Sequence, residues 1–81
     1  MITKELRAKF QAIAEFIYRD DEIAVEVALE DIDEYGFMFI AGGDRHGEIH
    51  KRFSEIEEAC WAKGLIIEPE GGGYAVKEDK Q

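Results

Sequence analysis

Two apolar stripes at helical spacing constrain this chain more than any other feature. Leu6, Phe10, Ile13 and Ile17 recur at intervals of four, three and four, and Ile49, Phe53, Ile56 and Cys60 repeat those intervals. That period puts every member on one face of a helix, so each segment must lay its apolar face against a core. Thr3 offers a side-chain cap for a first helix from about Lys4 to Tyr18, and Gly64 a left-handed stop for a second from about Gly47 to Lys63. Tyr18 and Trp61 follow the two stripes in the same relative place.

Strand patterns follow each helix. Phe37-Met38-Phe39-Ile40, Leu65-Ile66-Ile67 and Tyr74-Ala75-Val76 are short apolar runs, and Pro69 with Gly71-Gly72-Gly73 turns the chain between the last two. From Glu22 to Glu30, Ile23, Val25, Val27 and Leu29 alternate as in a half-buried strand. The same segment also makes a helical stripe through Ala24, Val25, Ala28, Leu29 and Ile32, ending before Gly36. Its β-branched alternation makes strand the expectation. The predicted fold class is α+β: an αββαββ two-layer domain with a four-stranded, mostly antiparallel sheet and both amphipathic helices on one face. The matching stripes suggest two αββ halves related by approximate twofold symmetry, although any two amphipathic helices share such a pattern. Residues 1–81 are read as one domain, with residues 77–81 as a frayed tail.

Charge narrows the function. Asp20, Asp21, Glu22, Glu26, Glu30, Asp31, Asp33 and Glu34 occur with no Lys or Arg among them, and they account for most of the net charge of −9. Like charge disfavours nonspecific approach to nucleic acid or anionic lipid, so direct nucleic-acid and membrane binding are not expected. A lone cysteine excludes an internal disulfide framework, no apolar run approaches the roughly 20 residues of a membrane span, and the N-terminus does not read as a signal peptide. A cytoplasmic location is the expectation. Cys60, four residues after Ile56, reads as a small buried apolar group.

Chemistry is sparsely represented. Asp44, His46, Glu48 and His50 cluster at a helix start, and His46 and His50 would share a face, with Asp44 as a third ligand. Two nitrogen ligands without the spacing of a zinc protease assign no metal, and Asp44 reads as a cap. No nucleophile set or phosphate loop is present in the sequence, so neither catalytic residues nor a cofactor are assigned.

Two surfaces are therefore the candidates. If Val25, Val27, Phe37, Phe39, Leu65, Ile67 and Val76 face the helices, then Ala24, Ala28, Met38, Ile40, Ile66 and Ala75 form an apolar second face. Ala24, Met38, Ile40 and Ile66 would then mark a homodimer interface. The acidic segment, from Asp20 to Glu34, would attract a basic surface on a partner, for example a nucleic-acid-binding protein. In size and charge this resembles the small phage proteins that imitate DNA to block nucleases or CRISPR effectors. The resemblance implies an inhibitor without enzymatic activity.

A second resemblance lies in the C-terminal part. Phe53-Ser54-Glu55-Ile56-Glu57-Glu58, Lys63-Gly64-Leu65-Ile66 and Gly72-Gly73-Tyr74 resemble the recognition helix and wing of winged-helix DNA-binding domains, which implies a nucleic-acid binder. A helix that enters the major groove presents Arg, Lys, Asn or Gln, whereas this one carries Glu55, Glu57 and Glu58 beside Lys51 and Arg52. The acidic binding module is accordingly the first expectation and the winged-helix binder the alternative.

Overall fold

The first helix, α1 (Lys4–Tyr18), starts where the sequence predicts, with Thr3 Oγ1 accepting from the Leu6 amide at 3.1 Å. In this computed structural model, which describes residues 2–19, 21–40 and 44–79 and side chains from 47 in the last stretch, α1 buries Phe10, Ile13, Ala14 and Ile17.

The acidic segment is helical, which corrects the expected strand. Helix α2 spans Glu22–Tyr35 and is capped at both ends. Asp21 Oδ1 accepts from the Ala24 amide at 3.0 Å, and Gly36 closes the helix at φ +81 with its N–H on the Ile32 carbonyl. A side chain at that φ would be strained, so glycine suits the stop. Ala28 and Ile32 are buried with Val25 and Leu29 beside them, while Ile23 and Val27 face out. The stripe through α2 packs on α1, and that long-range contact overrides the β-branched alternation.

Strand β1 (Met38–Ile40) precedes helices α3 (Asp44–Lys51) and α4 (Phe53–Trp61), and β2 (Leu65–Glu70) and β3 (Gly73–Glu78) complete the chain. The architecture is thus α+β, with four helices and one antiparallel sheet of order β1-β3-β2 among the described residues. The αββαββ arrangement and its twofold symmetry are not found: the segment expected as a fourth strand is α2, and the second predicted helix is two. Arg52, at φ −102 and ψ 11, interrupts it, and its N–H is shared between the Glu48 and Ile49 carbonyls. Lys77 and Glu78, assigned to a tail by the sequence, lie in β3, and the Asp79 amide bonds the Gly64 carbonyl.

Register sets which side of each strand meets the helices. Met38 pairs with Val76, Ile40 with Tyr74 and Ile67 with Val76, so these residues and Leu65 share the inner face. Leu65, Ile67 and Val76 are therefore oriented as expected, but β1 is inverted: Met38 and Ile40 are buried and Phe39 points out. Gly71, at φ +61, supplies the positive dihedral of the short turn between β2 and β3.

The core joins every element: Phe10, Ile13 and Ile17 from α1, Ala28 and Ile32 from α2, Ile49 from α3, Ile56 and Cys60 from α4, and the inner sheet residues. Burial, and then the charge of Glu57, push the Cys60 thiol from 9.0 up to about 11. Because the folded state holds this proton more tightly, the associated stability is complete below about pH 9 and is lost as pH rises through about 11. Ultraviolet titration of the native thiolate should therefore show a midpoint near 11; a midpoint near 9 in folded protein would contradict the burial.

Candidate functional site

Making the acidic segment a helix turns its charge into a row. Glu22, Glu26, Glu30 and Glu34 are four residues apart and all exposed, so they line one side of α2 at steps of about 6 Å along its axis. Ile23, Val27, Asp31 and Tyr35 form a parallel row beside them at the same spacing. Ile23 is 76% exposed, Val27 51% and Tyr35 62%. The outer face of α2 thus presents the carboxylate row with Ile23, Val27 and Tyr35 exposed beside it.

The other predicted acidic residues have separate duties. Asp21 caps α2, and Asp33 receives a two-pronged contact from Arg7, with Nε at 2.8 Å from Oδ1 and Nη2 at 3.2 Å from Oδ2. The hydrogen bond from Arg7 holds the Asp33 carboxyl below its ordinary value. Asp31 is half-buried between Val27 and Tyr35 in their row, and Asp20 lies outside the described residues. Of the residues assigned to a dimer face, Met38 and Ile40 are buried inside the chain, Ala24 is half-buried on α2, and Ile66 is half-buried on the outer side of β2. That interface is corrected accordingly: the inverted strand β1 removes its two largest members. Ile23, Val27 and Tyr35 were missed as surface residues, although their spacings of four and eight would have shown them once the segment was taken as a helix.

Self-repulsion makes the carboxylate row costly. Each like-charged pair four apart on a helix is destabilising by a few tenths of a kcal/mol, so the row opposes folding by about 1 kcal/mol. The last turn of α2, Ile32-Asp33-Glu34-Tyr35, adds carboxylates where the helix dipole is already negative. Glu26→Lys should therefore raise stability by about 1 kcal/mol, since it turns two repulsive neighbours into attractive ones. Urea unfolding checks this, and a lowered midpoint would mean that Glu26 makes a contact the fold needs.

Elsewhere, His50 is occupied structurally, with Nδ1 3.0 Å from the Tyr74 hydroxyl, and Tyr74 lies against Phe53 with ring centroids 5.3 Å apart. The side chains of Asp44 and His46 lie outside the described residues. No three His, Cys, Asp or Glu side chains are gathered for a metal ion among the described residues. Nor is any described helix long and apolar enough to cross a membrane. Compared with protein-family models, with curated proteins and with solved structures, the chain matches none.

Proposed function

We propose that this protein is a non-enzymatic binding module that presents the outer face of α2 to a basic surface on a partner protein. One observation carries the proposal: a row of carboxylates is kept, against its own repulsion, beside large apolar side chains left exposed. Charge would steer the encounter and Ile23, Val27 and Tyr35 would supply the desolvated contact. A partner groove built for nucleic acid fits the row, because it offers Lys and Arg side chains at close intervals. Occupying such a groove would make the protein a competitor of nucleic acid, an inhibitor by imitation. Affinity capture from the native host lysate tests this. Wild type should retain a basic protein that Glu26→Lys/Glu30→Lys does not, and identical capture by both would refute it.

A second reading is favoured by connectivity. Helices α3 and α4 run into a glycine-tipped hairpin whose last strand pairs with the strand before the helices, a succession that resembles a winged-helix unit. Its charges weigh against DNA: Glu55 and Glu58 are exposed on α4, and the Arg52 guanidinium is turned onto α1. Fluorescence anisotropy with labelled duplex DNA separates the two. Binding that Lys51→Glu abolishes would favour the winged-helix reading.

A further inference from the structure

We propose that the groove at the C-terminal end of α2 is a seat for an arginine side chain of the partner protein. This rests on the acidic-face reading above and adds to it a specific anchor. The groove is an open depression of about 390 Å³ lined by Asp31, Tyr35, Phe37, Phe39 and Glu70. Tyr35 and Phe37 stand with ring centroids 6.3 Å apart and planes tilted by 43°, and Phe39 is 39% exposed on the outer side of β1. Asp31 and Tyr35 also end the row on α2 that begins with Ile23 and Val27, so the groove continues the proposed binding face.

The chain's own cation shows what this wall holds. Lys77 places its ammonium 5.5 Å from the centre of the Phe37 ring and 3.1 Å from both Glu68 Oε1 and Glu70 Oε2. Hydrogen bonds to Glu70 and Glu68 raise the Lys77 pKa, as a favourable site for positive charge should. Asp31, Glu68 and Glu70 outnumber this one ammonium, so the groove region stays negative and accepts a second cation. An aliphatic side chain would cover the rings but would strip water from Asp31 without giving it a partner. Arginine meets both demands: its stem and planar guanidinium lie against aromatic faces, and its N–H fork meets carboxylates.

Heteronuclear NMR titration of the full chain with N-acetyl-arginine amide, N-acetyl-citrulline amide and N-acetyl-leucine amide tests the chemistry. Arginine amide should shift Asp31, Tyr35, Phe37, Phe39 and Glu70 with an affinity about tenfold above those of the two neutral probes. Lys77→Met should tighten it severalfold by removing the resident ammonium, and Glu70→Gln should weaken it. Leucine amide binding as well as arginine amide, or arginine shifts confined to Glu22, Glu26 and Glu30, would overturn the proposal. A hexa-arginine peptide then separates the inference from the function beneath it, with folding of each variant checked by circular dichroism. If Phe39→Ala binds the peptide as wild type does while Glu26→Lys/Glu30→Lys loses it, the arginine seat is wrong and the acidic face stands. If the groove variant alone loses the peptide, the seat stands and the row reading fails. Loss in both variants supports both, and wild-type affinity in both refutes both.

Discussion

Replacing Arg52 with methionine is expected to lower stability by about 2–3 kcal/mol, a large share of what a domain of this size has. Arg52 Nη1 donates to the Ile17 carbonyl and Nη2 to the Phe16 carbonyl, each at 3.1 Å, and the guanidinium lies 5.1 Å from the centre of the Phe16 ring. These carbonyls belong to the last turn of α1, where the helix itself leaves them without partners and its dipole is negative. The side chain is only 13% exposed, so few waters could replace it. Arg52 Nε finds only Glu55 Oε2, at 3.7 Å, so the two carbonyl contacts are the ones that count. Urea unfolding of Arg52→Met and Arg52→Lys checks the account. Lysine should recover part of the loss, since one ammonium cannot reproduce the fork. A loss below about 0.5 kcal/mol would show that the α1 carbonyls are satisfied without Arg52.

The second large effect concerns binding. Glu26→Lys/Glu30→Lys changes the net charge from −9 to −5, two units for each reversal, and should weaken the partner complex by at least about a hundredfold. Folding should be unaffected or slightly favoured, because the two introduced lysines would each gain an oppositely charged neighbour four residues away, Glu22 for the first and Glu34 for the second. Glu58→Lys/Glu78→Lys has the same net charge with its changes on α4 and β3, and it should bind as wild type. Wild-type affinity should also fall with added salt, and the row variant should lose that dependence first in its association rate. Equal weakening by both variants would mean that net charge, and not the α2 row, governs the complex.

What the sequence revealed was local. The Thr3 cap, the α1 stripe and the hairpin at Gly71 each depend on neighbouring residues, and each stands where it was read; Gly64 is left-handed as expected, but α4 ends earlier, at Trp61. Ile23, Val25, Val27 and Leu29 alternate convincingly, yet Ala24, Ala28 and Ile32 fit a helix equally well. Gly36 already marked the end of that stripe in the sequence, but packing on α1 decided between the two periods. Met38, Phe39 and Ile40 are all apolar, so no alternation could say which side faces in. Pairing with β3 settled it. Arg52 was legible as a charge but not as a brace, because the carbonyls it holds are 35 and 36 residues away. The four glutamates of the row were visible from the start; their common face emerged only with the helix.

Site-directed photocrosslinking locates the contact most directly. With p-benzoylphenylalanine at Val27, in the middle of the exposed row, irradiation in the host lysate should join the protein to a basic partner. The same probe at Trp61, which is exposed at the end of α4, should give little product. The product from Val27 should disappear when Glu26→Lys/Glu30→Lys is added. Crosslinks from Trp61 with none from Val27 would place the partner on another face and contradict the account.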